Sequence, residues 1–309
     1  MKIVEPSFEI QDYLDSVSIA ARLEACGRVC YKSEDKITED SALPFITRIA
    51  AHGHNSVLEM AVVSFSLQCP PHHIQELLAC QPKYLVVDRT LGGLLVTGSI
   101  RAFRELYNKF GRNPLVNNLT GMLAGELPYL FDTLFDRQNA IAQDADVVIE
   151  RLSLEEVDKL PAPLRKRHRF VSVRFIINRA VTHELVRHRP CSFLQESQRY
   201  CRYSQDKFDN QVTFIKPMFF QEGSEEYTLW RQAMELTEAK YLKLLETTTP
   251  QAARTVLPNS CKTEIIVYCN LEEWQHIFAL RTSPAAEPSM REIMIPLQRE
   301  MQGKYMLND

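Results

Sequence analysis

Residues 170–200 read FVSVRFIINRAVTHELVRHRPCSFLQESQRY, and a strand, a helix and a polar loop follow one another within them. Residues 170–177 are rich in β-branched and aromatic side chains, which is typical of a strand. A helix is predicted next, and it ends before Pro190 because a residue that precedes proline disfavours the helical conformation. Residues 187–200 then contain four side chains that are or can become cationic, although the chain has a net charge of −3. We therefore expect an anion-binding surface where the helix ends.

The rest of the chain mixes helical and strand patterns without regular alternation. Apolar and polar side chains alternate in residues 63–68, which predicts a half-buried strand, and glycines at 92–93 predict a hairpin. Residues 144–168 are charged and contain two prolines, so we interpret them as a connection. The pattern predicts an α+β fold with helices packed on a mostly antiparallel sheet. We expect one domain over residues 1–309, with a helical and hairpin segment inserted between two sheet strands at about residues 80–165.

Length and composition exclude several classes of protein. The 309 residues include 36 basic and 39 acidic side chains, so a general polyanion binder is excluded and no nucleic-acid partner is expected. No apolar run reaches the ~18–20 residues that span a bilayer. The N-terminal residues lack the apolar stretch of a signal peptide, so we expect a cytoplasmic protein without a membrane partner. The eight cysteines include no CxxC pair, which indicates reduced thiols rather than disulfides.

The cationic stretch allows two interpretations. Cations are favoured at a helix C-terminus, so Arg187 and His188 are compatible with a basic helix end followed by a polar loop. Three arginines in one short stretch also suit an anion site, because guanidinium groups bind phosphate and carboxylate through paired hydrogen bonds. The stretch contains further hydrogen-bonding side chains: Ser192, Gln195, Ser197, Gln198 and Tyr200. These groups favour a pocket for an anionic, planar ligand, for which a nucleotide is the natural candidate.

A longer motif lies in the same stretch. Arg187-His188-Arg189 is followed by seven residues and Ser197, and Arg199-Tyr200 comes shortly after. This motif resembles the signature of the flavin-dependent thymidylate synthases. Three other stretches resemble that family in order and spacing: HGHNSVLEM at residues 52–60, ARTVLPNS at 253–260 and NLEEWQHIFALR at 270–281. Residues 80–165 have no counterpart in this resemblance.

The resemblance implies a specific reaction. Members of the family convert dUMP to dTMP, with methylenetetrahydrofolate as the carbon donor, FAD as the hydride carrier and NADPH as the reductant. They are similar to one another in being homotetramers whose active sites are built from several subunits. For this chain the resemblance therefore implies FAD as cofactor, and dUMP, folate and NADPH as small-molecule partners.

The resemblance also implies roles for individual residues. The implied flavin contacts are Ser56, Arg187, His188, Arg189, Gln195, Asn270 and His276. The implied dUMP contacts are Glu184, Arg187, Ser197, Arg199, Arg254 and Arg281. Arg281 takes the catalytic position, where a cation can stabilise negative charge that develops on the pyrimidine ring. The hydride chemistry itself belongs to the flavin.

The chain departs from the family pattern at several positions. Leu194-Gln195 stands where the family commonly has Asn-Glu, so either Gln195 acts without a charge or Glu196 replaces the glutamate. Glu272 and Ala285 stand where some members have arginine and histidine. These departures keep open a second interpretation, in which the chain is a flavin- or nucleotide-binding relative without thymidylate synthase activity.

The sequence contains two further features that could indicate function, a basic run and several histidines, and each has a simpler explanation. The basic run at residues 165–169 suits an RNA-binding module, although a solvated edge before a strand explains it more simply. His52, His54 and His183 suggest a metal site together with His188, but neither HExxH nor paired CxxC is present. No metal ligand is therefore expected, and Cys191 and Ser197 are interpreted as packing and hydrogen-bonding residues rather than nucleophiles.

Overall fold

The structure is a computed structural model, and it describes residues 1–53 and 55–306. Its strands are β1 (Lys2–Val4), β2 (Ser7–Ile10), β3 (Val62–Gln68), β4 (Leu85–Thr90), β5 (Gly93–Ser99), β6 (Val148–Leu152), β7 (Phe170–Asn178), β8 (Ser192–Gln195), β9 (Thr213–Ile215) and β10 (Lys262–Asn270). Its α-helices are α1 (Ile19–Val29), α2 (Ala42–Ala51), α3 (Pro71–Ala79), α4 (Ile100–Phe110), α5 (Pro114–Glu126), α6 (Pro128–Phe131), α7 (Leu154–Asp158), α8 (Ala162–His168), α9 (Arg179–Leu185), α10 (Glu225–Leu245), α11 (Pro250–Ala253), α12 (Leu271–Arg281) and α13 (Pro288–Tyr305). The predicted α+β class is confirmed, with the long strands arranged in antiparallel sheets.

One four-stranded sheet combines strands that are far apart in the sequence, in the order β2-β7-β10-β8. Its central strands β7 and β10 pair antiparallel from Phe170 opposite Asn270 to Asn178 opposite Lys262. Alternate side chains of β10 enter two different hydrophobic cores, one with α9, α12 and α13 and the other with α1 and the second sheet. Burial on both faces explains why β10 is a continuous apolar run rather than an alternating one.

The second four-stranded sheet is local in sequence, with the order β4-β5-β3-β6 and antiparallel pairing throughout. The predicted hairpin joins β4 to β5, and Gly92 at its turn has a φ of +83° that favours glycine. Gly93 is required by close approach, because a Cβ atom there would lie 1.7 Å from the carbonyl oxygen of Leu67 on β3. The hairpin therefore packs directly against the strand that precedes the inserted segment.

The prediction that residues 144–168 form a connection was wrong. They contain β6, α7 and α8, and β6 pairs with β3. Only Ile149 of β6 is fully buried, since β6 is an edge strand whose Glu150 and Arg151 are exposed. The charged side chains gave no strand signal, because β6 forms by pairing with β3, about 80 residues earlier in the chain.

A third hydrophobic core lies under the long helix α10, beside the parallel pair of β1 with β9. Helix α10 begins after Ser224, whose side chain accepts a hydrogen bond from the backbone N–H of Tyr227.

In the described parts of the chain, no helix is both long enough and apolar enough to cross a membrane. The motif loop at residues 187–200 lies between α9 and this third core, and it includes β8 at the edge of the first sheet.

Candidate active site

The turn that follows α9 separates the three residues of the Arg-His-Arg motif. The side chain of Asn178 caps the start of α9, and the helix ends at Leu185. The backbone N–H of His188 then donates to the carbonyl of Leu185 at 3.2 Å. This turn buries the His188 side chain, whereas Arg187 is 70% exposed and Arg189 also faces solvent. The two arginines are therefore available to an anion, and the histidine is part of the protein interior.

Arg281, at the end of α12, is brought against this turn and held by three hydrogen bonds. Its Nε donates to Nε2 of His188 at 3.0 Å. Its Nη1 donates to the Glu184 carboxylate at 2.8 Å, and its Nη2 donates to the Glu184 backbone carbonyl at 2.9 Å. The Arg281 side chain is only 16% exposed. Arg281, His188 and Glu184, which were predicted as site residues from separate stretches, therefore form one group with a fixed guanidinium orientation.

His188 is neutral at physiological pH in this group. Burial, with the positive charges of Arg281 and His276, lowers the pKa of His188 from its ordinary 6.5 to about 4. Because Nε2 accepts a hydrogen bond from Arg281, the single proton of the neutral ring lies on Nδ1. That nitrogen faces Oε1 of Glu273 at 3.4 Å. His188 therefore lies between Arg281, to which it is hydrogen-bonded, and the Glu273 carboxylate, which it contacts without a hydrogen bond.

His188, Glu273 and His276 lie close enough together to hold a metal ion. Oε1 of Glu273 is buried without a hydrogen-bond partner, and burial raises the pKa of this carboxyl. An ion at Nδ1 of His188, however, would require the ring proton to move to Nε2, which already faces the N–H of Arg281. We therefore interpret these residues as an arrangement that orients Arg281 rather than as ion ligands.

A cavity of about 460 Å³ lies beside the second half of the motif. Ser56, Gln195, Ser197 and Arg199 line it, and Tyr31 and Tyr200 form an aromatic pair at 5.3 Å on its wall. The backbone N–H of Ser197 donates to the carbonyl of Cys30 at 2.9 Å, which fixes the loop against α1. The predicted flavin contact Ser56 and the predicted phosphate contacts Ser197 and Arg199 therefore share one cavity.

Gln195 and Glu196 point in different directions from β8. Nε2 of Gln195 donates to the hydroxyls of Thr182 and Thr263, at 3.2 and 3.3 Å. Glu196 is 1% exposed, and its carboxylate accepts hydrogen bonds from Lys262 and from the hydroxyl of Tyr203, both at 2.8 Å. Gln195 therefore lines the cavity, and Glu196 does not.

A second cavity, of about 420 Å³, lies on the other side of the motif turn. Arg189 and Asn270 line it from the motif side. The Asn270 side chain is already engaged, because it caps α12 through the N–H of Glu273 and donates to the carbonyl of Arg167 at 2.8 Å. Arg101 lines both cavities and therefore marks where they adjoin.

Six predicted site residues line neither cavity: Glu184, Arg187, His188, Arg254, His276 and Arg281. Arg254 begins a short 3-10 turn, Arg254–Val256, and lines neither of the two cavities. Arg281 also lines neither, although it lies next to the motif turn. His54, in the stretch that resembles the family before β3, lies outside the described residues. The sequence did not indicate Tyr31, Arg101 or Glu273 as site residues. Tyr31 and Arg101 lie outside the stretches that resemble the family, whereas Glu273 lies within the stretch at residues 270–281.

The basic run at residues 165–169 does not form a cationic surface patch. Arg169 is buried between Asp15 and Asp158, and His168 is buried against Asp88. Arg167 also pairs with Asp88. Most of the run is thus neutralised within the protein, and this arrangement gives an RNA-binding interpretation no support.

Two cysteines near the motif, Cys30 and Cys201, are poor nucleophiles. All eight cysteines are free. Burial raises the pKa of Cys30 to about 12, and it raises the pKa of Cys201 to about 12 as well. Because the thiolate is the reactive form of cysteine, thiols with such pKa values stay protonated at physiological pH.

The chain matches the family model described as "Thymidylate synthase complementing protein" over residues 14–81 and 166–305. It is 35% identical over 161 residues to the flavin-dependent thymidylate synthase of Pyrococcus furiosus, with 49% of this chain and 65% of the relative covered. It is 32% identical over 141 residues to the enzyme of the same name from Mycobacteroides abscessus, with 40% and 54% covered. The chain thus spans about half to two thirds of the length of the curated relatives that it matches.

The chain is also similar to a solved structure, that of the UMP/dUMP methylase PolB from Streptomyces cacaoi bound with 5-Br dUMP. The comparison covers 98% of this chain and 93% of that chain, with a TM-score of 0.41 and 14% sequence identity.

Proposed function

The chain belongs to the thymidylate synthase complementing protein family, and from this premise we propose that it methylates dUMP to dTMP in a flavin-dependent reaction. The observation that carries the proposal is the group around Arg281. A guanidinium held by Glu184 and His188, next to a turn with two exposed arginines, suits a reaction in which charge develops on an anionic nucleotide.

Arg281 has a defined task in this proposal. Three of its five N–H groups are used by the protein, so two remain for a ligand. Because the guanidinium is fixed before the substrate arrives, little reorganisation is needed when negative charge grows on the pyrimidine. His188 and Glu184 orient Arg281, and Glu273 orients His188 in turn.

Ser197 and Arg199 are proposed to hold the dUMP phosphate in the cavity of about 460 Å³. Arginine binds phosphate through two parallel hydrogen bonds, and the Ser197 hydroxyl is a further donor beside it. Binding energy at the phosphate, remote from the reacting carbon, can be used to orient the ring. Gln195 lines the same cavity with its amide nitrogen engaged by two threonines, which leaves its carbonyl oxygen as an acceptor.

The residues present fit a flavin dinucleotide. FAD is a polyanion with flat rings, and the exposed Arg189 supplies a cationic donor that lines a cavity of about 420 Å³, with the exposed Arg187 two residues before it. Asn270 is proposed to act by positioning, because both ends of its amide are bonded within the protein. The flavin, reduced by NADPH, supplies the hydride transfer, and methylenetetrahydrofolate supplies the carbon.

The proposal is tested with purified protein and added FAD. We expect flavin absorbance that survives desalting, and dTMP formation from dUMP when methylenetetrahydrofolate and NADPH are both present, measured by chromatography. Reactions that omit one component at a time are the controls. FAD and dUMP binding without dTMP formation would favour the second interpretation, a nucleotide-binding relative that lacks the methylation reaction.

A further inference from the structure

The cavity of about 420 Å³ has two walls of different origin. One wall comes from the part of the chain that matches the family model, and it includes Glu59, Arg189 and Asn270. The other wall comes from residues 82–165, which the family model does not match, and it includes Tyr84, Arg101 and Glu105. The inserted segment therefore closes a cavity against the motif loop instead of lying apart from it.

Arg101 joins the two walls. It lies in the first turn of α4, and its Nε donates to Glu105 of the same helix at 2.6 Å. Its Nη1 donates to Glu59, in the matched part of the chain, also at 2.6 Å. Because two carboxylates hold the guanidinium, the position of Arg101 at the junction of the two cavities is fixed.

Tyr84 stands at the rim of the same cavity. Its side chain is 78% exposed, and its backbone has a φ of +64°, a conformation that few residues other than glycine, asparagine and aspartate adopt readily. The described structure leaves the Tyr84 ring exposed to solvent. An exposed aromatic ring beside an apolar cleft is suited to stacking on a flat heterocycle.

We propose that the inserted segment binds the adenosine half of the flavin dinucleotide in this cavity, with Tyr84 against the adenine and Arg101 near the phosphates. The inference rests on the proposed function. In that function the reactive flavin ring lies against the pyrimidine of dUMP, and the proposed phosphate contacts of dUMP, Ser197 and Arg199, line the other cavity. Arg189 and Asn270, both expected at the flavin, line this cavity, so the half that remains for it is the unreactive one.

The chemistry of the lining agrees with this assignment. Apolar side chains such as Val62, Leu85 and Phe170 suit a neutral ring. The Glu59 and Glu105 carboxylates can accept hydrogen bonds from ribose hydroxyls, and Arg189 can pair with phosphate at the motif side. FMN has the same reactive ring and one phosphate but no adenosine, so it separates the two halves experimentally.

The test is equilibrium binding of FAD and of FMN to the flavin-free full-length protein, followed by flavin fluorescence. Tyr84→Asn removes the ring and keeps a residue that tolerates the positive φ. Arg101→Gln removes the charge, and Arg137→Gln, at an exposed arginine of the inserted segment that pairs with Asp132, is the matched control. We expect both test variants to weaken FAD binding by ~10-fold or more, the scale of a base–aromatic stack. Tyr84→Asn should leave FMN binding unchanged, and Arg101→Gln should weaken FMN binding less than FAD binding, because FMN keeps only one phosphate.

Each other outcome overturns a particular statement. If the wild-type protein binds neither flavin, the proposed function fails, and the inference fails with it. If the wild type binds FAD and the variants bind it equally well, only the inference fails. Equal weakening of FAD and FMN would place the reactive ring, not the adenosine, in this cavity and would contradict the proposal. If Arg101→Gln lowers the unfolding midpoint, the exposed position Tyr84 decides the question.

Discussion

Each nitrogen of the Arg281 guanidinium donates a hydrogen bond within the protein, so the orientation of this side chain is set before any ligand binds. We expect Arg281→Ala to lower kcat by ~100-fold or more, because a fixed donor acts mainly on charge that appears in the transition state. Arg281→Lys keeps the charge but loses the fork, so it should recover only part of the rate. Initial rates of dTMP formation at varied dUMP concentration measure kcat and KM for each variant.

Arg199 provides the comparison for that experiment. It lines the cavity in which Ser197 is expected to meet the phosphate, and its guanidinium lies 5.4 Å from the ring centre of Tyr200. Arg199→Ala should therefore raise KM for dUMP and leave kcat nearly unchanged. The reverse pattern, with kcat lost at position 199 and KM raised at position 281, would contradict both assignments.

The lowered pKa of His188 makes a prediction about acid stability. The folded protein holds this pKa at about 4, whereas the unfolded chain has the ordinary 6.5. Between these pH values the unfolded state binds a proton that the folded state does not, so this group reduces the free energy of unfolding as the pH falls from 6.5 towards 4. Its favourable contribution is fully present only above the unfolded value.

A variant with glutamine at this position isolates the effect. Gln can accept the hydrogen bond from Arg281 and does not titrate. We expect His188→Gln to be less stable than the wild type at pH ~7, and the difference to shrink as the pH approaches ~5. Urea unfolding at several pH values gives both free energies. A difference that stays constant with pH would show that His188 is not kept neutral by folding.

At the scale of elements, β8 and the loop after it depend on a buried ion pair. Glu196 at the end of β8 pairs with Lys262 at the start of β10, and Lys262 also pairs with Glu264 at 2.8 Å. Lys32 binds the same Glu264 oxygen as Lys262, and Arg174 binds the other oxygen. These cations lower the pKa of this carboxyl to about 2 despite its burial. This network lies directly behind Ser197 and fixes the start of the proposed phosphate loop.

Breaking this pair should affect both stability and dUMP binding. Lys262→Met leaves Glu196 buried without its cation, which costs about 3–5 kcal/mol of unfolding free energy for such pairs, and it should raise KM for dUMP. The double variant with Glu196→Gln should recover much of the stability, because no buried charge is left unpaired. Lys243→Met, at a 75% exposed lysine that pairs with Glu246, is the control and should change stability little. Equal effects at positions 262 and 243 would contradict the anchoring role.

The elements that could be predicted from sequence are those with local or strongly apolar signals. Strands β3, β7 and β10, and the hairpin at Gly92, follow from alternation, apolar runs and turn chemistry. Strand β6 could not be predicted, because its sequence Val-Ile-Glu-Arg-Leu has a single buried residue and gains its state from pairing with β3. The division of the strands between two sheets is likewise set by tertiary packing rather than by local sequence.

In the candidate site, too, contacts between distant segments could not be predicted from local sequence. The local motif predicted site residues within 187–199, and the structure places Arg189 at one cavity and Ser197 and Arg199 at the other. The link from Glu273 through His188 to Arg281 and the position of Arg101 depend on contacts between distant segments, for which one sequence carries no signal. The roles of Arg254 and of the other proposed contacts stay predictions that the experiments above address.

At the scale of the whole molecule, the proposed dUMP residues do not converge within one chain. Ser197 and Arg199 line one cavity, whereas Arg254 and Arg281 line neither of the two cavities at the motif. The family resemblance implies a homotetramer with shared sites, and this arrangement stays a prediction. Light scattering after size exclusion should give about four times the subunit mass, and an active monomer would rule out the shared arrangement.

Complementation tests the sharing directly. At a dUMP concentration far below the raised KM of Arg199→Ala, the Arg199→Ala and Arg281→Ala proteins should each have little activity, and they should regain activity after they are mixed, dissociated and reassembled. Some sites would then combine an intact Arg199 with an intact Arg281 from a different subunit. Arg199→Ala mixed with itself is the control. A proven tetramer without complementation would place both arginines of each site on the same subunit.

The strands of the two four-stranded sheets differ in their separation along the sequence, and this difference affects the order in which the sheets fold. Every strand of the second sheet lies between Val62 and Leu152, whereas the first sheet needs strands from Ser7 to Asn270. Closing shorter loops costs less chain entropy, so the second sheet should form first, even while a growing chain is still incomplete. Pulse-labelled hydrogen exchange during refolding should then protect the amides of β5 before those of β10. Simultaneous protection would mean that the two sheets assemble as one cooperative unit.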